Sequence, residues 1–547
     1  ENVFLTNVLV EGEMNVSGNT DLGIDGTVVN DGVITLNGGG SQIDLEVQSG
    51  AIFAGSGELV LASPLAGING SGNLLNDSGN TIRGEGNIGR NVISITNDGF
   101  IIADVPGQEL VLNPATIFAG PEFVNNGTLL ATDGGILVFD GVGNGEFLNN
   151  NEITVANGGQ ILFRNNAQLT NANAAASDRL IGGTFRAFDD GSGTTFDIVP
   201  PDFDLETIEM ATVEIQGPNI TSNLFDDDAS SAGDLVGFNF RENGGTFIIG
   251  GGTDLTVNYD DGMLDGELTS FVNNFDDGAG NVDVGTFFVD AGTTVSFLDP
   301  DASNGQRADF LNTGSAVLGG GGTLRASVSG DGIYRPGNSN GTVGTLTIDN
   351  AADVADISGA RLEIGLFEET SFDELVFTGD ATVDNLSIAV DPQGSYLPNP
   401  GDAFEVVSTD GLTSSSNVNA FQDSGLIGLD FLEIVDSDSI TIVADNLLVA
   451  DANYDGVVNL QDFLVLRANF NSGDEYTEGD FNFDGVVNLA DFLLLRENFG
   501  TGIGGIINGP IPGSDIIGEW GRTVPEPSAM LGLTALGGLA LRRRRLR

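Results

Sequence analysis

Two stretches of the chain repeat each other at an offset of 24 residues, and that repetition limits the fold more than any other feature. VNNGTLLATDGGILVF begins at Val124 and LNNNEITVANGGQILF begins at Leu148. Asn125, Asn126, Gly134, Gly135 and Phe139 recur as Asn149, Asn150, Gly158, Gly159 and Phe163. Related NDG turns stand at Asn30 and Asn97, and looser copies begin at Glu242 and Gly285. Self-similarity at such a period marks a stacked array. Short apolar runs alternate with polar residues between Gly, Asn and Asp, which predicts half-buried strands. Each repeat therefore reads as one coil at a fixed period. Its apolar side chains point inward, and Asn and Gly fill turns that need left-handed backbone angles. One coil cannot bury its own apolar face, so neighbours are required. Asn125 and Asn149 are expected as internal turn or ladder residues, with ligand binding as the alternative. Residues 1–320 are read as these repeats, the first part of a mainly β fold.

Composition narrows the chemistry. The chain has 547 residues, enough for a long array, and 40% hydrophobic content, too much for a disordered chain. Acidic residues number 79 and basic ones 18, all of them Arg, for a net charge of −61. Such a surface repels phosphate backbones and excludes nucleic acid as a partner. The same carboxylates attract divalent cations; away from dedicated loops, they read as solubilising charge. Cys and His are both absent. That removes disulfides, Ser-His-Asp and Cys-His catalysis, and the usual zinc sites. The first residue is Glu with no apolar leader before it, so either a leader has been removed or the sequence is a fragment.

At Asp451 the texture changes. DANYDGVVNLQDFLVLRANF is followed 29 residues later by DFNFDGVVNLADFLLLRENF. Each copy opens with oxygen-bearing side chains at positions 1, 3, 5, 9 and 12 and Gly at position 6. In the first loop these are Asp451, Asn453, Asp455, Asn459 and Asp462, with Gly456; in the second they are Asp480, Asn482, Asp484, Asn488 and Asp491, with Gly485. Calcium takes several hard oxygen ligands, and a twelve-residue loop can wrap it when Gly allows the sharp turn. Position 7 would add the backbone carbonyl of Val457 or Val486. The pattern predicts two calcium ions, one per loop. An amphipathic helix should follow each loop, with Leu460, Phe463, Leu464 and Phe470 on one apolar face and Leu489, Phe492, Leu493 and Phe499 on the other. The two helices are expected to pack through Phe463, Leu464, Phe492 and Leu493.

No full helix precedes the first loop, and position 12 is Asp in both. In these respects residues 448–500 resemble the dockerin family. The resemblance implies an extracellular protein plugged onto a cohesin-like module, often within polysaccharide-degrading assemblies. Many dockerins carry small hydroxyl residues at loop positions 10 and 11, whereas here these are Leu460–Gln461 and Leu489–Ala490. A structural, intramolecular role therefore stands beside the cohesin reading.

Two further resemblances frame the module. Residues 321–447, with the PGNS turn Pro336, Gly337, Asn338 and Ser339, look like the end of an autotransporter-type passenger region. That resemblance implies a right-handed parallel β-helix, or β-solenoid, closed by a cap. After a linker at 501–523, residues 524–547 resemble the PEP-CTERM sorting signal. It comprises Val524, Pro525, Glu526 and Pro527, an apolar stretch from Ala529 to Leu541, and RRRRLR. The family implies an exosortase-type sorting enzyme and a C-terminal hydrophobic sorting helix. Thirteen helical residues would span only about 20 Å, so a transient membrane anchor is expected, with a permanent single-pass anchor as the alternative. The Arg cluster would stay cytoplasmic and leave the bulk of the chain outside.

Together these features predict a non-catalytic protein of the bacterial surface or extracellular matrix, structural or adhesive, with polysaccharide or matrix as a contact. The alternatives are a polysaccharide lyase or glycosidase on a β-helix and a cohesin-docked subunit. Lys is absent and Arg is sparse, which disfavours a lyase base. A glycosidase needs only two suitably spaced carboxylates, but the sole Trp, Trp520, lies in the linker, so no aromatic-rich cleft is legible.

Overall fold

The chain is mainly β. A computed structural model describes residues 3–503 except 19, 116–120, 143–144, 166, 174–178, 198–204, 223, 225–233, 239, 259–269, 277–281, 299–306 and 351–352. The linker beyond residue 503 and the sorting motif Val524–Pro527 with its apolar stretch lie outside the described residues. Among the described residues no helix is long and apolar enough to cross a membrane. The chain divides into two compact units. The first comprises Glu1–Ala360, Leu375–Val383 and Thr409–Ser414; the second comprises Arg361–Glu374, Asp384–Ser408 and the chain from Ser415 onward.

In the first unit, alternation of side chains along strands does what the sequence pattern requires. Along Thr81–Ile88 every second residue is buried. The two 24-residue copies each contribute three strands: Phe123–Asn125, Thr128–Ala131 and Ile136–Asp140, then Glu146–Asn149, Glu152–Val155 and Gln160–Arg164. Each strand pairs in parallel with its counterpart in the next copy, in the register the alignment predicts: Asn125 with Asn149, Leu129 with Ile153, Phe139 with Phe163. The copies at Glu242 and Gly285 also pair in parallel, Phe247 opposite Phe287. The tight turns between strands place Asp133 and Gly134, and Asn157 and Gly158, in the left-handed region. Asn, Asp and Gly tolerate that conformation best.

Like residues stack on like. Phe139 and Phe163 lie face to face with centroids 4.3 Å apart and rings 6° from parallel. Farther along, Phe271, Phe287, Phe297 and Phe310 form a fully buried cluster. A buried asparagine ladder runs beside these apolar stacks. The Nδ2 of Asn76 donates to Oδ1 of Asn97 (2.6 Å), Asn97 to Asn125 (2.7 Å), and Asn125 to Asn149 (2.7 Å). A second ladder joins Asn243, Asn273 and Asn312 at 2.9 and 3.0 Å. These asparagines face one another and the backbone, as the ladder reading expects.

The fixed period is corrected. Successive rungs of the first ladder are 21, 28 and 24 residues apart, and those of the second are 30 and 39. Register is held by the inward residues while the connections vary, because loop closure costs grow only slowly with length.

Scarce arginines bridge acidic side chains on neighbouring repeats. Arg83 pairs with Glu58 and Asp104, Arg164 with Asp140 and Glu109, and Arg186 with Glu152 and Glu214. The PGNS turn is pinned likewise: Asp290 accepts from the backbone N of Ser339 at 2.7 Å and from its hydroxyl at 2.5 Å.

In the second unit, Arg361–Glu368, Ser387–Pro392 and Asn419–Gln422 continue the parallel pattern. The pairing then changes sense. Ala403–Ser408, Leu429–Val435 and Ser439–Asn446 form an antiparallel sheet with Ser439–Asn446 between the other two. The segment with the two twelve-residue loops follows, with helices α1 (Leu460–Ala468) and α2 (Leu489–Asn498).

The ladder yields a direct prediction. Asn125→Ala strands the donor of Asn97 and the acceptor of Asn149, and should cost about 2–3 kcal/mol. The exposed neighbour Asn126→Ala should change stability by less than about 0.5 kcal/mol. Urea unfolding followed by circular dichroism separates the two; equal effects would show that the ladder carries no special weight.

Candidate metal centre

The two twelve-residue loops share most of their internal hydrogen bonds. Position 1 accepts two backbone N–H groups: Asp455 and Gly456 donate to Asp451 at 3.2 and 2.9 Å, and Asp484 and Gly485 donate to Asp480 at 3.2 and 2.8 Å. Position 3 accepts from the same N–H at position 5, Asn453 at 3.1 Å and Asn482 at 2.8 Å. Position 5 accepts from position 7, at 3.0 Å from Val457 and 3.1 Å from Val486. Gly456 and Gly485 turn the chain with φ of 82° and 84°.

Positions 9 and 12 start the helices. Asn459 accepts from Gln461 N at 2.8 Å, and Asp462 reaches back to Asn459 N at 2.7 Å. Asn488 and Asp491 repeat this capping box at 2.7 and 2.8 Å. The reciprocal cap satisfies orphan N–H groups at the helix start. Asp462 and Asp491 also hold their own loop entrances, accepting from Ala452 N at 2.8 Å and Asn482 N at 3.1 Å. The carbonyls of Val457 and Val486 accept from the Asn459 and Asn488 amides at 3.0 and 2.8 Å.

Every expected ligand is thus gathered into its loop by local bonds. The carboxylates are tied to backbone N–H groups and not drawn to a single point. Among the described residues, no three acidic side chains form a group that could hold an ion as they stand. The electrostatics nonetheless fit a cation. Asp451, Asp462, Asp480 and Asp491 are buried. Among the described residues, no arginine forms an ion pair with any of the six loop aspartates. Burial, with help from the charges of Asp462 and Asp455, pushes Asp451 up to about 6. Burial also raises Asp462 and Asp491. A set of buried oxygen donors lacking a counter-charge is the chemistry a hard divalent ion satisfies.

With that geometry in hand, the comparison with known families is direct. Residues 449–500 match the dockerin type I domain. Domains of this type typically bind calcium and dock onto cohesin modules. No curated protein matches the chain. The match falls one residue inside the 448–500 boundary expected from the sequence.

The helix faces of the dockerin-like module are corrected. Leu460 and Leu464 are 40% and 48% exposed and Leu489 is 39% exposed, so they do not form the core. Phe463 is buried as expected, and Leu466 and Leu495, which were not expected, are buried with it. Phe463 meets Phe492 edge-on at 6.1 Å. The inward stripe runs at i, i+3 from Phe463 to Leu466 and from Phe492 to Leu495. Leu460 and Leu489 are in phase with it but stand at the first position of their helices and are exposed there, whereas Leu464 lies one residue off it.

Sequence reasoning missed two residues that organise the module. Tyr454, at position 4 of the first loop, is fully buried, with its hydroxyl donating to Pro398 O at 2.8 Å. Tyr476 lies between the loops and is buried too. Its hydroxyl accepts from Asn446 Nδ2 at 2.6 Å and Ala450 N at 2.9 Å and donates to Leu448 O at 3.0 Å. Burial pushes both phenols up, so they stay neutral hydrogen-bonding groups. The one available signal was that two of the chain's five Tyr fall inside a 50-residue module.

Asp451 makes stability in chelator depend on pH. Its carboxyl is raised in the fold above the roughly 3.9 of an unfolded chain, so ionisation opposes folding. Without calcium, the module should gain stability as pH falls from 7 through about 6 toward 4. Urea unfolding in chelator, followed by tyrosine emission, measures this; stability flat or falling over that interval would contradict it.

Proposed function

We propose that this chain is an exported, non-catalytic protein of the cell surface or extracellular matrix, structural or adhesive in role. In this reading the parallel ladders wind as a right-handed β-helix, and the dockerin-like module holds two calcium ions. The observation that carries it is the doubled loop: two copies of one oxygen-rich cradle, each with buried, uncompensated carboxylates. Asp451, Asn453, Asp455, Val457, Asn459 and Asp462 would hold one ion, and Asp480, Asn482, Asp484, Val486, Asn488 and Asp491 the other. When bound, calcium supplies the missing positive charge and ties each loop to its helix. Residues 524–547 would present the chain to an exosortase-type enzyme, with the short apolar stretch as a transient anchor.

Extracellular life suits this design. Calcium is plentiful outside cells, and a chain with no Cys draws nothing from an oxidising medium, so packing and metal are the available means of stabilisation. The stacked interior also supports a scaffold: its polar rungs are occupied by one another, leaving them no role toward substrate. Polysaccharide or matrix would be met by the outer, acidic faces, directly or through bridging cations.

A second reading, membership in a cohesin-docked assembly, is favoured by the dockerin type I match. Leu460 and Leu489 stand exposed where many dockerins carry hydroxyl residues, so a partner would meet apolar side chains at loop position 10.

Calorimetric titration of the calcium-free chain should give two tight sites above a background of weak binding. Asp451→Ala and Asp480→Ala should each leave one tight site, and retention of both in either variant would overturn the assignment. Incubation with acidic and neutral polysaccharides should release no new chain ends. Turnover abolished by a single carboxylate substitution would replace the scaffold reading with a glycosidase.

A further inference from the structure

The first calcium loop and the second do not sit in equivalent surroundings. Gly456 and Tyr454 of the first loop are buried, whereas Gly485 and Phe483 at the same positions of the second are exposed. What covers the first loop is the end of the antiparallel sheet in the same compact unit. Gly428, one residue before the strand Leu429–Val435, donates its N–H to Tyr454 O at 3.0 Å. A side-chain carbon on Gly428 would overlap the Asp451 carboxylate and the Tyr454 backbone, so only glycine allows the loop this close. The Tyr454 hydroxyl reaches Pro398, and Tyr476 N donates to Asn399 Oδ1 at 2.9 Å. Pro398 and Asn399 lie just before the strand Ala403–Ser408. Asn446, the last residue of Ser439–Asn446, donates to the Tyr476 hydroxyl.

All three strands of the sheet are therefore tied at or near one end to the two buried tyrosines. The rings reinforce the link, with Tyr454 and Tyr476 stacked at 6.0 Å and Tyr476 against Phe483 at 5.7 Å. The loop is closed from its other side by the segment after α2: Val458 N donates to Thr501 O at 3.0 Å and Ile503 N to Gly456 O at 3.0 Å.

We propose that the first calcium loop is a clamp on the antiparallel sheet, so that calcium binding at Asp451–Asp462 stabilises the strands Ala403–Ser408, Leu429–Val435 and Ser439–Asn446 through Tyr454 and Tyr476. The inference rests on the calcium reading given above and adds to it a fixed intramolecular target. Tyr454 is the fourth residue of the loop, flanked by the ligand positions Asn453 and Asp455. Holding those two positions on an ion fixes Tyr454 between them, with its ring in the sheet-end socket and its carbonyl under Gly428. Loss of the ion restores repulsion among Asp451, Asp455 and Asp462 and loosens the residue that closes the sheet. Calcium withdrawal then becomes a signal that opens the β end of this unit and not merely the loop.

The test is hydrogen exchange by mass spectrometry on the full chain, with calcium and with chelator, beside calorimetry on the same samples. For complete coupling, calcium at 100 times its dissociation constant should slow exchange by up to about 100-fold. We expect a slowing of at least about tenfold in Leu429–Val435 and Ser439–Asn446, amounting to partial coupling on that scale. The double variant Tyr454→Phe, Tyr476→Phe keeps ring volume and should still bind calcium while losing most of the sheet protection. Asp451→Ala should lose both binding at the first loop and the protection. Calcium binding with unchanged exchange in the sheet would overturn the clamp and leave the calcium reading intact. Full protection in the double tyrosine variant would overturn the route through the hydroxyls. Absence of calcium binding by the unaltered chain would overturn the reading and the clamp together.

Discussion

An asparagine amide inside an apolar stack has to find both donors and acceptors there, and in this chain it finds them in the same residue one repeat along. Asn125 gives its N–H groups to Asn149, to Gly127 O and to Glu152 O while its own carbonyl accepts from Asn97. Those demands can be met only when repeats lie in parallel with matching residues in register. A slip of one residue would put every amide against an apolar neighbour and every phenylalanine on the outside. Apolar burial supplies most of the driving force, but it is indifferent to register among similar side chains. The polar rungs supply the discrimination. The arginine bridges and the Asp290 staple on Ser339 decorate an arrangement already decided inside.

The dockerin-like module works from the opposite condition. Its polar interior is charged, and its own backbone satisfies the carboxylates only in part. Hydrogen bonds from the N–H groups of Asp455 and Gly456 steady Asp451, yet burial still raises its proton affinity. The asparagine rungs of the parallel β region satisfy one another, whereas the buried carboxylates of the module have no positive partner among the described side chains.

Much of this was legible beforehand. The alignment of Asn125 with Asn149 and Phe139 with Phe163 named true ladder partners, because identical residues at identical spacing have one simple way to stack. The conformation of the two twelve-residue loops was legible for a similar reason: side-chain oxygens at fixed positions and a glycine at the sharp turn encode a local fold. Longer-range facts were not. The helix stripe was right at Phe463 and Phe492 but was widened to Leu464, one residue off the line, because an apolar run does not reveal which of two adjacent apolar residues faces in; the core continues through Leu466 and Leu495. The uneven ladder spacing escaped because only one pair of repeats kept its connections equal. Tyr454 and Tyr476 gave no pattern at all, since their partners Pro398 and Asn446 are set by tertiary contact.

The unequal spacing of the ladder rungs separates what the interior fixes from what the turns leave open. Steps between 21 and 39 residues leave the rungs bonded at 2.6–3.0 Å, so the turns differ in length without disturbing the interior. Insertions of that kind need no compensating change elsewhere, and each lengthens only the rim of a single layer. What each turn displays can therefore be changed one turn at a time, on a frame whose register is held by a row of amides.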